Sequence, residues 1–527
     1  MLNKDCIFIS NYAIGKVSSF EGGSTIQVMI GTNITNINCT YVGNLNGHNG
    51  GVIFINSLER YLEIWANFFN NSAGGRGGSV SLLDLTNVQI LSCSFSANRA
   101  GTFGGAISAE NLTHFRSSHS IFDDNTSGKN GGAIDLLNVT HFISKECRYL
   151  YNKAGECGGS IAIEGISSLN IKRTNLNIKN YFHQSMASDG GDLCVKSASM
   201  LSNIRSKFLS SHASKNGGSL FLFNLDSLET KNCIFINNMA YGDGGSLHLL
   251  QIKYAKAGMN QFHSCWAVNG RGGVYYVEHI DSFRSFNCSF FNSRASEGGS
   301  LHITLSSNIS IETSSFYVSL ATNNGGSFFF IQGQHVSVND CDFYNSTSKT
   351  ASGGAGAMKY VNHISISECR FSYCIASIAS SLFIDNTVLL KTSHIIVYKN
   401  IAADNAAGLY ISNVERANVI LSKFHNNRVD KDGGIIYFSN SRSIHFKLCQ
   451  FSNNSVSLKS VVYADNFFDL ININNIFQRN WISGALQMSN GKRYLDYFNV
   501  YIYNVNAREG GNVFMSSVQF CKIASCM

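Results

Sequence analysis

Proline is absent from all 527 residues. A residue without an N–H breaks the ladder wherever a strand is paired on both sides, so this absence suits a sheet of interior strands. The heavy use of Asn, Ile, Phe, Tyr and Lys also fits an AT-rich coding background. Charge is scarce at 14% of residues, and 40 basic against 33 acidic side chains leave a net +7. Spread along a long chain, that excess implies no nucleic-acid partner, and no basic run interleaved with aromatics supplies one. No apolar run approaches the ~18 residues of a spanning helix. The opening MLNKDCIFIS lacks a basic segment followed by an apolar one, so no signal peptide is read there. Membrane association is expected only through segments outside this sequence. HExxH motifs and CxxC pairs are missing, so no metal site and no cofactor are expected. No sustained apolar period of 3.6 residues runs through the chain, which argues against an α-solenoid.

What is present is a repeat. Glycine pairs stand at Gly50-Gly51, Gly77-Gly78, Gly104-Gly105, Gly131-Gly132 and Gly158-Gly159, and continue from Gly190-Gly191 to Gly353-Gly354. With Gly22-Gly23 before them and Gly433-Gly434 and Gly510-Gly511 after, 488 residues divide into 18 steps averaging 27.1. Where a pair is missing, Ser380-Ser381, Ala407-Gly408, Ser460-Val461 and Gly484-Ala485 fall where one is due. Periodicity of this length predicts one continuous all-β solenoid over 1–527: a single-stranded, right-handed parallel β-helix of about nineteen rungs of roughly 27 residues. At the usual strand spacing the rod would be about 90 Å long. Leucine-rich repeats are shorter, and propeller blades longer. Both ends fall within a rung and show no clear cap, so we expect a piece of a longer protein.

One rung, GGSLFLFNLDSLETKNCIFINNMAYGD from Gly217, reads as follows. The glycine pair turns with positive φ. Leu220–Phe223 forms a first strand, Asn224–Ser227 a corner, Leu228–Thr230 a second strand and Cys233–Ile236 a third, and Asn237-Asn238 bends the chain back. Eleven residues before most glycine pairs stands a cysteine or small polar residue, with an aromatic two positions later, as in Cys39/Tyr41, Cys93/Phe95, Cys233/Phe235 and Cys449/Phe451. Residues two apart share a face, so both are placed inward. Asn follows the aromatic by three in many rungs, including Asn71, Asn98, Asn125 and Asn454. It is expected to take the left-handed conformation and bond to its copies in adjacent rungs. The step from Gly159 to Gly190 is about five residues longer than the rest, and these are expected to bulge around Tyr181–Ser188.

Two motifs alternate in phase: Gly104-Gly105-Ala106-Ile107 and Gly131-Gly132-Ala133-Ile134, with Phe95-x-x-Asn98, Phe122-x-x-Asn125, Phe235-x-x-Asn238 and Phe451-x-x-Asn454. The pattern resembles the repeat of the chlamydial polymorphic outer membrane proteins and of large protist (trichomonad-type) surface-protein families. The resemblance covers essentially the whole chain. It implies a pectin-lyase-like β-helix displayed on a cell surface or outside the cell, with adhesion as the usual role. Most rungs here carry Gly-Gly-Ser instead of Gly-Gly-Ala, and the outer-membrane barrel that ends the bacterial family is not visible within this sequence. No binding residue is transferred by the repeat, and the proline-free, Asn-rich composition favours the protist branch.

Nine of 15 cysteines share one column: Cys6, Cys39, Cys93, Cys147, Cys233, Cys288, Cys341, Cys369 and Cys449. Serine replaces them at Ser206 and Ser422, which marks a small inward position rather than a disulfide framework. Neighbours such as Cys341 and Cys369 could bond only where geometry permits. Cys157, Cys194, Cys265, Cys374, Cys521 and Cys526 stay unassigned. The histidines, such as His114, His141 and His335, read as scattered. A rival class is a polysaccharide lyase or glycoside hydrolase, which needs clustered carboxylates. The candidates are Asp123-Asp124, Asp340 with Asp342, and Asp189 with Asp192. None shows a carboxylate at the same phase of the next rung, and Asn-Thr-Asp and Gly-His-Gly runs are missing. No catalytic residue is therefore assigned. Ten sequons (Asn33, Asn38, Asn70, Asn111, Asn125, Asn138, Asn287, Asn308, Asn345 and Asn453) are expected to be blocked wherever they face inward or sit at corners.

The expectation is a non-enzymatic surface or secreted scaffold that binds a host-cell or matrix protein or glycan. The alternatives are the glycan-cleaving enzyme and a truncated family member without independent function.

Overall fold

The computed structural model describes residues 1–13, 23–165, 174–481, 484–502 and 512–527. Gly22 and the pair Gly510-Gly511 lie outside them. Among the described residues the secondary structure is all strand and turn, with no helix. The strands form three parallel sheets of a β-solenoid of about 18 turns. The chain divides into two compact units, Met1–Val268 and Asn269–Met527.

A turn in the first unit consists of Leu220–Lys231, Ile234–Ile236 and Met239–Ala240. The second unit repeats the pattern, as in Phe328–Asn339, Asp342–Tyr344 and Thr347–Ser348. The two strands expected over Leu220–Thr230 are thus one. Asn224 bends it in the left-handed region at φ 57° without ending it, because pairing resumes at Leu225 opposite Ile252. A further short strand follows Asn237-Asn238.

The glycine pair opens each turn for two different reasons. Gly217 has φ 64°, where a side chain is strained. Gly218 has no room, since a Cβ there would collide with the carbonyl oxygen of Gly245. Where the glycines lapse, the register corrects the phase read from sequence. Gly356 pairs with Leu382 and Leu382 with Leu409, so Ala379-Ser380 and Ala406-Ala407 occupy the pair, one residue earlier than expected. Ala379 and Ala406 take the left-handed conformation there, at φ 56° and 54°.

The extra residues also lie elsewhere than expected. Tyr181–His183 is a regular strand opposite Arg148–Leu150, followed by Met186–Ala187. Leu137 pairs with Glu164 and His141 with Thr174, so four positions in one turn match ten in the next. Six additional residues therefore fall between Glu164 and Thr174, and most of that segment is outside the described residues.

The core is built in columns. In the first unit the inward rings from Tyr41 to Phe262 stack without a gap, with centroids 4.5 Å apart at Tyr41–Phe68 and Phe68–Phe95. In the second, Phe290, Phe316, Phe343 and Phe371 stack, Val397 interrupts, and Phe424 to Tyr501 resumes. Each stacked pair adds roughly 0.5–1.5 kcal/mol beyond its burial.

The cysteine column is buried from Cys39 onward, and its members are not joined in disulfides. Its interchange with serine has a local cause. The residue before it is a left-handed corner that aims the carbonyl two positions back at the side chain. Cys93 Sγ donates to Leu91 O at 3.3 Å, as Ser422 Oγ donates to Ile420 O at 2.8 Å.

The asparagine column forms the expected ladder. Asn71 donates from its N–H and from Nδ2 to Asn98 Oδ1, at 3.0 and 3.1 Å, and from Nδ2 to Tyr41 O at 3.0 Å. The left-handed residue, however, is the one before it: Asn70, Ala97 and Asp124 carry the positive φ. The ladder asparagine must point inward, and its outward neighbour makes the corner.

Candidate functional site

On the three-residue strands the middle residue faces the core and its neighbours face out. In Asp342–Tyr344, Phe343 is buried while Tyr344 is 43% exposed. The outward position after the core ring is Tyr317, Tyr344, Ser372, Tyr398 and His425 in five consecutive turns of the second unit. Tyr373, at the left-handed corner with φ 58°, fills the step left by Ser372. Centroids are 6.1 Å apart for Tyr317–Tyr344, 5.3 Å for Tyr344–Tyr373, 5.8 Å for Tyr373–Tyr398 and 4.8 Å for Tyr398–His425. These rings are tilted or edge-on to one another, so the column presents both ring faces and edges to solvent.

The rings line an open groove of about 520 Å³. Its other wall is the outward residue on the far side of the core ring: Asp342, Arg370, Ile396 and Lys423. Arg370 Nε lies 3.9 Å from Asp342 Oδ1. Lys399, in the corner column with Tyr373, holds its ammonium 5.4 Å from the Tyr373 centroid and 5.1 Å from that of Tyr398. It donates to the Tyr373 hydroxyl at 3.4 Å. The Tyr398 and Tyr373 hydroxyls hold this ammonium above the ordinary lysine range. Burial, aided by Lys423, lowers His425, which favours a neutral ring near pH 7.

A smaller depression of about 310 Å³ adjoins the groove, sharing Asp342 and Arg370 and lined by Asp340, Glu368 and His394. Asn339 pairs with Ser367 and Asp342 with Arg370, which places Glu368 in phase with Asp340. The expectation that no candidate has a carboxylate companion fails here: Asp340 and Glu368 each stand immediately before a column cysteine, Cys341 and Cys369.

The remaining candidates separate. Asp123 is half-buried on a strand facing Ser96 and Leu150, and Asp124 is an exposed corner at φ 51°. Burial, then Asp124, raises the Asp123 carboxyl. Asp189 forms an isolated parallel bridge with Cys157, and its Oδ1 accepts the Asn216 N–H at 3.1 Å. Asp192 is fully buried beside Ser185, Ser211 and Ser219, and burial pushes it up to about 7. It stands where two ladder asparagines have given way to Ser185 and Ser211, so its carboxyl fills that volume.

Three other readings change. Histidines do share a column: His114 stacks on His141 at 4.9 Å and His335 on His363 at 4.8 Å. Cys157 and Cys194, unassigned from sequence, are joined in a disulfide, whereas Cys341 and Cys369 are free. Corner sequons face outward, with Asn38, Asn70, Asn111, Asn287, Asn345 and Asn453 exposed and Asn125 buried.

A second outward aromatic column, Phe383, Tyr410, Tyr437 and Tyr463, runs along the long strands with centroids about 5 Å apart. It is more covered, with Lys359 over Phe383 and Lys459 over Tyr463, and offers less free surface. Both outward columns were missed from sequence. The signal was available as aromatics recurring at the rung period one residue after the core ring and three to four residues after the glycine-pair phase.

No known protein family, curated protein or solved structure matches the chain.

Proposed function

We propose that this chain is a non-enzymatic binding scaffold, displayed on a cell surface or secreted, that holds a host-cell or matrix ligand as an adhesin does. The observation that carries the reading is the tyrosine-lined groove, where rings recur at the rung spacing on a rigid stack. Aromatic side chains supply large contact area at low entropic cost, and repetition lets weak contacts add through avidity. The resemblance to polymorphic outer membrane protein repeats, to protist surface proteins and to pectin-lyase-like helices supports the same role. The Cys157–Cys194 disulfide supports an oxidising compartment. The test is binding of the purified chain, monomeric and clustered, to host cells, matrix proteins and glycans. Binding that drops at least tenfold in Tyr344→Ala/Tyr373→Ala/Tyr398→Ala is expected, and absence of binding in both forms counts against the proposal.

One observation favours a second reading, glycan cleavage: the phased Asp340 and Glu368 open beside the tyrosines. Depolymerisation of a polysaccharide that Asp340→Asn and Glu368→Gln each abolish would establish it. Activity unchanged in both variants would remove it.

A further inference from the structure

Charge is not even along the groove. Its earlier turns carry Asp342, paired with Arg370, beside Asp340 and Glu368. Its later turns carry Lys399 and Lys423, and neither forms an ion pair among the described residues. Lys399 is fixed over two rings and donates to a phenol, so it is positioned rather than free-swinging. Uncompensated cations at one end, with tyrosines between them and a carboxylate–guanidinium pair at the other, call for a ligand of matching polarity.

We propose that the groove binds a short oligosaccharide ending in one carboxylate-bearing sugar. The acid group sits between Lys399 and Lys423, its ring packs on Tyr398 and Tyr373, and a neutral sugar lies towards Tyr344. There Asp342 accepts from its hydroxyls and Arg370 donates to them. A uniformly sulfated chain is disfavoured, because its charge would continue past Asp342, Asp340 and Glu368. This inference rests on the reading of the groove as the ligand site, and names the class of ligand.

The test is calorimetric titration of the whole chain with a sialic-acid-terminated trisaccharide, the neutral disaccharide lacking that sugar, and a glutamate-rich peptide. The acidic trisaccharide is expected to bind at least tenfold tighter than the disaccharide at low salt, with the advantage shrinking as salt rises. Lys399→Gln/Lys423→Gln should erase the preference, while Tyr344→Ala, at the ring against which the shared neutral sugar lies, should weaken both sugars. Equal affinity for the two sugars, or peptide binding as tight as the trisaccharide, overturns the inference and leaves the groove as a ligand site. Failure of every saccharide to bind, with the variants folded by circular dichroism, overturns the inference, and the wider adhesin reading is then decided by its own cell and matrix assay.

Discussion

Two aromatic columns run one residue apart through the second unit, and they behave as different materials. Phe343 and Phe371 inside the coil lie 4° from parallel, whereas Tyr344 and Tyr373 outside lie at 56°. Inside, Phe343 has the rings of Phe316 and Phe371 above and below it and Phe328 against its side, and close packing admits one orientation. Outside, rung spacing still sets the distance, but the angle follows cover: the half-buried Phe383 and Tyr410 lie 8° from parallel, whereas Tyr317 and Tyr344 lie at 52° and keep ring faces free for a ligand. The same period thus yields a structural stack and a candidate binding surface, and burial alone separates them.

Neighbouring residues of one strand give the sharpest test. Phe343→Ala should cost about 3–5 kcal/mol, as deletion of a buried ring does. Tyr344→Ala should leave stability within about 0.5 kcal/mol while weakening ligand binding. Urea midpoints for both variants decide the matter. If Tyr344→Ala destabilises as much as Phe343→Ala, the outer column is structural too, and the proposed site loses its basis.

The asparagines allow the same contrast. Asn98→Ala removes the acceptor for the Asn71 N–H and the donor to Phe68 O, both buried, and should cost about 1–3 kcal/mol for each group left unpaired. Asn70→Gly should stay within about 0.5 kcal/mol, because glycine adopts the left-handed corner without strain. Equal losses would mean that corner conformation matters as much as the ladder.

Buried carboxyls should give the chain an acid-side stability profile. Burial pushes Glu63 up to about 8, and Asp135 and Asp192 to about 7. A carboxyl whose folded value lies above its unfolded one stabilises fully below the unfolded value near pH ~4. That contribution is lost as pH rises towards 7 to 8, by up to ~1.4 kcal/mol per pH unit per group. Melting temperature should therefore fall between pH 5 and pH 8, and Glu63→Gln with Asp192→Asn should flatten the slope. A midpoint that rises over this range would show that these carboxyls are ionised in the fold.

The period, the parallel all-β class and the inward cysteine and aromatic columns were legible because each rests on a hard constraint. Gly218 cannot be replaced where Gly245 O passes, and Cys93 or Ser422 must be small and able to donate. The lapsed pairs were misphased because alanine can tolerate the left-handed conformation, so Ala379 and Ala406 leave no visible mark. The extra residues were misplaced because polarity does not distinguish a surface strand such as Tyr181–His183 from a loop. The groove was legible only in part, for a different reason. Tyr317, Tyr344, Tyr373 and Tyr398 belong to two outward columns joined at one corner, and only the folded coil shows Tyr373 taking the place that Ser372 leaves.

The smallest effect is expected among the cysteines, where the inner column can be compared with an outer thiol. Cys233 Sγ donates to Asn203 O at 3.2 Å and Lys231 O at 3.5 Å. A serine hydroxyl makes the equivalent bond at Ser206 and Ser422. Cys233→Ser should therefore shift stability by less than about 1 kcal/mol, well under a cavity-forming change. A loss above about 2 kcal/mol would mean that thiol packing, not the carbonyl bond, defines the column. Reactivity should separate the two environments. Burial pushes Cys93 and Cys449 up to about 12, so they should resist a thiol reagent at pH 8 until the chain unfolds. Exposed Cys521 should react at once. Rapid labelling of Cys93 or Cys449 in the native chain would show that the coil opens locally and that its inner columns are less sealed than their geometry implies.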